Sequence, residues 1–584
     1  MLSDATVQRV DLQGYSESIR WSDDGSLAVN TTGSLTILKP RYQSGALKSA
    51  NELFEIEKLE IESWPRNGLY KNQPADEVVS TNFSSTDDFV TKLLWSPLTQ
   101  NRQSFLAVLT ASKSVNILEN GKVKTMIGEY ATFKTQKEMD DAVTYSFVWY
   151  KKDQDLYFIT GQASGNLKFY KFDDDEFKFL QGISLPSSSP IVKLKVDSGV
   201  LVAVSADNEI IQVNDLLSEK DQEIKILKSK DRFSVYDIFL TQEFVVFTSP
   251  AKFQKIDLKT GSIYEVITNI YDSSIIIPNG SSFILISNTT TVKVDQNLKV
   301  QADDKVHPVK IKRLKRWNSR IDSFRLKSNT IKIYGADYNF SGDVLAILYE
   351  IEDQSGFKYK ISSENKYNIA FLSLDNKFDN VGSSLAIYQE FMLTGKIPPT
   401  TIENLSKPTP KGQDFKDYLK SNVLKDAEIL KLIANNIISR DKDAEIRARY
   451  SQLLLEFVKQ NEVPLENSLD RVTYNYIVNA VNGNSNEESQ EFKVVTDILE
   501  ETFKTDKNNN PDALVSESGH AWNRCALTFL PIVSTNVKVD PVTQKRIIDI
   551  SKDELNEYGY FTRTILETLN KVSIYSGCRF GSKP

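Results

Sequence analysis

Residues 143–172 read VTYSFVWYKKDQDLYFITGQASGNLKFYKF. The stretch parses as strand, turn, strand, a Ser164-Gly165 turn, and a third strand, with the acidic run Asp173 to Glu176 as the next hairpin tip. Similar clusters lie on both sides of it. Asn120-Gly121 separates SVNIL from KVKTMI, and Asn279-Gly280 separates SIIIP from SSFILIS. Both dipeptides favour the positive backbone angles of tight hairpins. Thr260-Gly261 follows QKIDLK, where Ile256 and Leu258 alternate with charged neighbours, as a half-buried strand requires.

Marking each cluster by one apolar or aromatic residue gives Trp21, Trp95, Trp149, Leu194, Tyr236, Ile275 and Tyr338. The middle spacings are 54, 45, 42 and 39 residues, near the ~40–45 of a WD-type repeat. The outer gaps of 74 and 63 leave room for loops such as 41–90 and 303–330. Seven clusters predict a seven-bladed WD40-like β-propeller over residues 1–380. Radial repetition lets many short strands coexist without long free edges. A pair of β-sandwiches is the alternative.

Near residue 380 the pattern changes. KIPPTTIENLSKPTPKG at 396–412 holds four prolines, which places a linker within 381–413. Helical spacing follows: Val423, Ala427, Leu430, Ile433 and Ile437 share a face, as do Ile446, Tyr450, Leu453 and Phe457. Phe492, Val495, Leu499 and Phe503 read as another helix, and Ser551 with Glu554 as the capping box of a last one carrying Tyr558, Phe561, Ile565, Leu569 and Val572. Loops are expected at 482–486 and 508–511. Residues 414–584 are thus expected to form a mostly helical domain with a small β insertion near 525–550.

Composition limits the chemistry. Two histidines in 584 residues leave few acid/base arrangements. Gly161 to Gly165 reads GQASG rather than a nucleophile elbow, and no phosphate-binding loop occurs. No catalytic residue is assigned. Two cysteines exclude a disulfide framework and fit a reducing compartment. The start MLSDATVQRVDLQ has no apolar core for a signal peptide, and no run reaches a membrane span. A net charge of −7 argues against a broad DNA-wrapping face and favours protein partners.

One string remains. GHAWNRC at 519–525 runs into ALTFLPI. His520 and Cys525 are half of a zinc vocabulary, but the other cysteine is Cys578 and the other histidine His307. A structural zinc needs four Cys/His ligands. The residue-level readings are a metal site completed by Asp540 or Cys578, or a small core packed by Trp522 and Cys525 with Arg524 capping it. The second is favoured, with no metal. The strand ALTFLPIV is also a candidate apolar surface for a partner.

The string resembles the C-terminal zinc-finger region of a transcription factor IIIC subunit family, in which a Gly-His-x-Trp-x-Arg-Cys core runs into an apolar Leu-Thr-rich strand and a second cysteine pair. Gly519, His520, Trp522, Arg524 and Cys525 match, and Ala526, Leu527, Thr528, Leu530 and Pro531 continue the match. The second pair should fall near Asp540 to Thr543, where DPVT carries no sulfur, so 516–550 reads as a zinc-finger remnant. The tail VTQKRIIDISKDELNEYGYFTRTILETLNKVSIYSG continues the likeness. The resemblance implies a nuclear, non-catalytic scaffold subunit of the RNA polymerase III general factor TFIIIC. It implies membership of the subassembly that binds the B-block of tRNA genes, bridging a partner propeller subunit and TATA-binding protein. DNA would be reached mainly through neighbouring subunits, with no cofactor, membrane or small-molecule substrate.

A basic cluster, KVHPVKIKRLKRW at 305–317, carries Lys310, Lys312, Arg313, Lys315 and Arg316. It reads as a solvated loop of one blade, a nuclear-import signal or a DNA contact. The rival to the whole reading is a vesicle-coat or nuclear-pore subunit, which also joins a propeller to helices.

Overall fold

The structure is a computed structural model. It describes the chain apart from residues 8–17, 42–52, 66–87, 129–134, 303–328, 354–366, 375–382, 396–411, 483–489, 506–511 and gaps of three residues or fewer elsewhere. The basic cluster at 305–317 with His307, the proline-bearing stretch and the two asparagine-rich loops therefore lie wholly or mostly outside the described residues. Two compact units emerge: residues 1–382 with 392–395, and residues 383–391 with 396–584. A helix, Ser384–Thr394, falls within the expected linker interval.

The first unit is a seven-bladed propeller of four-stranded antiparallel sheets. The innermost strands of blades 1 to 7 are Ile19–Trp21, Val90–Trp95, Thr144–Lys152, Ile191–Asp197, Asp237–Leu240, Ser274–Asn279 and Asn329–Tyr338. Each contacts the next, and the last returns to the first. Six of the seven sequence markers lie on these strands, and Tyr236 stands immediately before the fifth. The stretch 143–172 supplies three strands of blade 3, and Glu176–Ser184 is its outer strand. Asp173 pairs with Glu176 across the expected hairpin tip.

Apolar clusters fill every junction between neighbouring blades. Leu93, Leu106 and Val108 of blade 2 pack with Ala28, Leu35 and Ile37 of blade 1. Phe147, Trp149 and Phe158 of blade 3 join Ala107, Leu109 and Ile117 of blade 2. Corresponding clusters fill the other five. Burying both faces of each sheet is why the strands alternate poorly near the axis and read as nearly continuous apolar runs.

The tryptophans also latch the blades. Trp95 Nε1 donates to the Arg20 carbonyl at 3.1 Å, and Trp149 Nε1 to the Leu94 carbonyl at 3.1 Å. Each therefore ties its blade to the preceding one. Trp21 departs from this pattern: its backbone N–H donates to Asp337 Oδ2 at 2.7 Å, and its buried indole N–H has no hydrogen-bond partner among the described residues.

Asn120 and Gly121 have φ of 52° and 82°, and form the two-residue turn between Val115–Glu119 and Lys122–Ile127. Gly280 has φ of 58° and follows the paired Asn279 instead of sharing the turn with it. One strand was not expected at all. Ser3–Val7 pairs with Tyr367–Ser373 and completes blade 7 from the opposite end of the chain. The interval 41–90 likewise holds a strand, Phe54–Glu60, the outer strand of blade 1.

The second unit combines helices with small sheets. We label its helices α1 (Ser384–Thr394, whose last residues belong to the first unit), α2 (Ala427–Ser439), α3 (Asp443–Asn461), α4 (Ser468–Asn482) and α5 (Tyr560–Leu569). Ile446, Tyr450, Leu453 and Phe457 are buried on α3. Ile433 and Ile437 are buried on α2. Among the described residues no helix is long and apolar enough to cross a membrane.

Three sequence expectations are corrected here. Residues 491–504 form a hairpin, Glu491–Val495 against Glu500–Lys504, not a helix. Phe492 and Val494 are buried between exposed Glu491 and Lys493, and Phe492 stacks on Phe503 at 5.5 Å. That period of two was masked by a coincident spacing of three to four between the larger residues. The last helix starts at Tyr560, and Ser551 sits in a short 3-10 turn where it donates to Asp549. The cap comes from another helix: Asp470 of α4 accepts from the amides of Phe561 at 3.3 Å and Thr562 at 2.9 Å. Gly559 makes room for it, since a Cβ there would overlap the Asp470 carboxyl group. Finally, the β structure of this unit begins at 491 rather than 525.

Candidate functional site

The GHAWNRC string lies where two hairpins meet a buried turn. Ala513–Val515 pairs with Ala521–Asn523, joined by a tight loop in which the Ser516 amide donates to the His520 carbonyl at 2.9 Å. Gly519 has φ of 87° with open space around it, so the backbone angle and not crowding calls for glycine. Trp522 is half-buried opposite Leu514. His520 is exposed, edge-on to Trp522, and its Nδ1 lies 2.7 Å from Glu501 Oε1 of the neighbouring hairpin. Ser518 donates to Glu501 Oε2 at 2.5 Å. Hydrogen bonds from Ser518, His520 and Ser516 hold this buried carboxyl down at about 2, from an ordinary 4.5.

After Trp522 the chain enters the core. Arg524 and Cys525 are buried, as is every residue from Ala526 to Val533. ALTFLPIV is therefore a buried turn rather than a strand facing a partner. The Phe529 amide donates to the Cys525 carbonyl at 2.9 Å, with Phe529 at φ 58°. Three side chains satisfy the turn's inward carbonyls. Arg524 Nη1 donates to Phe529 O at 3.0 Å, Tyr450 Oη to Leu527 O at 3.1 Å and Tyr575 Oη to Ala526 O at 3.0 Å. Arg524 also lies 4.5 Å over the Tyr476 ring. Burial raises the ionisation of Tyr450 and Tyr575 far above the usual phenol range, so both stay neutral donors. The sequence marked Tyr450 only as part of an apolar face; its hydroxyl role carries no local signature.

Asp540 occupies the place where the resemblance expects a second cysteine pair. It is fully buried. Its Oδ1 accepts from the Val542 amide at 2.9 Å, the Thr543 amide at 3.2 Å and Ser576 Oγ at 2.9 Å. Its Oδ2 accepts from Thr543 Oγ1 at 2.7 Å and Ser573 Oγ at 2.6 Å. One carboxylate thus joins the 540–543 turn to the 573–578 loop, a cross-link that hydrogen bonds supply in place of a knuckle. Cys578 is buried beside it and forms no disulfide. Zinc does not fit these residues. Asp540 is saturated by donors, the His520 Nδ1 is engaged by Glu501, and no group of three or more His, Cys, Asp or Glu among the described residues is placed to hold a metal.

Comparison with known proteins gives the same direction at three places. Residues 485–580 match the family model described as "Putative zinc-finger of transcription factor IIIC complex". Residues 21–135 match that of the transcription factor IIIC subunit delta beta-propeller domain. The transcription factor tau 60 kDa subunit of Saccharomyces cerevisiae is 27% identical over 609 residues, covering 99% of each chain. Among solved structures, a chain of the mitotic checkpoint complex gives a TM-score of 0.39 at 12% identity, over 64% of this chain and 91% of its own. A chain of the complex of BBS1N with ARL6DN gives 0.38 at 9% identity, over 64% and 98%. Likeness at that level identifies no function. The chain is similar from end to end to the tau 60 kDa subunit, and its propeller and its C-terminal unit each match, over part of their length, a transcription factor IIIC family model.

Proposed function

We propose that this chain is a non-catalytic joining subunit of a transcription factor IIIC assembly serving RNA polymerase III. The observation that carries the reading is the 99% mutual coverage with the tau 60 kDa subunit, which leaves neither module unmatched. In this reading the protein is nuclear, with the import signal at Lys310, Lys312, Arg313, Lys315 and Arg316. It belongs to the part of the assembly that recognises the B-block of tRNA genes. There it bridges a second propeller-bearing subunit and TATA-binding protein, and leaves DNA readout mainly to its neighbours. The propeller, 1–380, and the C-terminal domain, 414–584, act as two modules on one chain, which raises the local concentration of one partner near another.

The polar residues in and around the 519–525 string support a structural role. Glu501, His520, Arg524 and Asp540 are each engaged by groups of the same unit. The turn at 525–533 and helix α5 are core elements, with Phe561, Ile565 and Leu569 buried, so partner contacts are assigned to other surfaces of that unit. Affinity capture of the chain from its native cell, with identification of what accompanies it, tests the reading. Polymerase III factor subunits are expected. Recovery with vesicle-coat or pore proteins would overturn it in favour of that rival.

A further inference from the structure

Behind the 525–530 turn the C-terminal unit holds a cavity of about 290 Å³. Among the described residues four cations line it: Arg447 from α3, Lys545, Arg546, and Arg524, one nitrogen of which is already committed to the Phe529 carbonyl. Apolar surface is supplied by Ala526, Phe529 and the Tyr575 ring. Among the described residues the lining holds one acid, Asp512, which is 72% exposed and stands 3.6 Å from Arg447 Nη2 and 3.7 Å from Lys545 Nζ. Both distances exceed those of charge-assisted hydrogen bonds. Lys545 has a second acid, Asp443, at 3.0 Å. Arg447 Nε is buried and has no hydrogen-bond partner among the described residues. Guanidinium and ammonium groups lining one cavity raise the potential there for an anion.

We propose that this cavity is a socket for one carboxylate, the side chain of an Asp or Glu on an otherwise uncharged or basic segment of a partner protein. A guanidinium fork matches a carboxylate's two oxygens, and the apolar wall accepts the side chain's stem. Nucleic acid fits less well. Its phosphates come in a row and need a cationic track, whereas here the cations line one cavity and Asp443 and Asp512 stand beside them. Those two acids would repel neighbouring phosphates and attract flanking Lys or Arg. Asp512 stands beside Arg447 and Lys545 as an internal competitor. The inference rests on the cavity alone and goes beyond the assembly reading, which could fail without affecting it.

The test uses the full-length protein and fluorescein-labelled octapeptides from a positional-scanning library. One set carries a central Glu; matched sets carry Gln or phosphoserine, and a short single-stranded DNA is included. Anisotropy should show the Glu peptides bound about ten-fold tighter than their Gln partners, the usual discrimination of one charge-assisted contact. Lys545→Gln should remove most of that preference. Asp512→Asn, at an exposed position that folding tolerates, should strengthen Glu-peptide binding several-fold by removing the competitor. Equal binding of Glu and Gln sets, preference for phosphoserine or DNA, or no gain in Asp512→Asn would each overturn the proposal. Should Lys545→Gln fail to fold, the Asp512→Asn result decides alone.

Discussion

At the scale of the residue, Asp540 shows how one buried carboxylate can cross-link two loops. Asp540 gathers five donors from two loops. Asp540→Ala would leave two buried hydroxyls, Ser573 and Ser576, and the half-buried Thr543 hydroxyl without their acceptor, and urea unfolding of the C-terminal unit should show a loss of about 3 kcal/mol or more. Glu501 gives a pH signature. Its folded value of about 2 lies below the ordinary 4.5, so its contribution is complete above 4.5 and is lost as pH falls toward 2. Glu501→Gln should flatten that acid limb, read as the unfolding midpoint at pH 3 against pH 6; an unchanged limb would remove Glu501 from the account. His520 and Cys525 were visible in the sequence as residue types, but not what they do. The partners that engage or enclose them, Glu501, Tyr450 and Tyr575, lie 19, 75 and 50 positions away, and no local spacing announces them.

Elements were legible where their signals are local. Asn120-Gly121 forms its hairpin because both residues tolerate the positive φ that the turn demands. The long helix α3 follows its apolar face from Ile446 to Phe457. Misreadings arose where the deciding group lies elsewhere in the chain. The start of α5 is set by Asp470 at Tyr560, nine positions after Ser551, so the capping-box spacing at Ser551 is not the start of this helix. Asp470→Ala should cost about 1–2 kcal/mol of C-terminal stability. Gly559→Ala should approach the same loss by displacing that carboxylate, measured by thermal unfolding of each variant. If Gly559→Ala proves neutral, the cross-chain cap is not what fixes this helix.

On the scale of the whole molecule, seven blades could be counted because bulky residues recur on the innermost strands. Two of them, Trp95 and Trp149, carry the same bond to the preceding blade. Trp149→Phe should keep the packing and lose about 1 kcal/mol with the latch. Ring closure was not legible: Ser3–Val7 is five residues long, and its partner strand Tyr367–Ser373 lies at the other end of the propeller. Leaving blade 7 with three strands and a free edge should lower the propeller's melting temperature by at least about 5 °C when residues 1–8 are removed.

A subunit that works by holding other subunits should be found with them in the cell. The most direct measurement is the mass and make-up of its native particle, by gradient sedimentation of a nuclear extract followed by protein identification. The account predicts a particle far heavier than the 66.2 kDa chain, sedimenting together with subunits of the RNA polymerase III factor. A lone 66.2 kDa species, with those subunits sedimenting elsewhere, would contradict it.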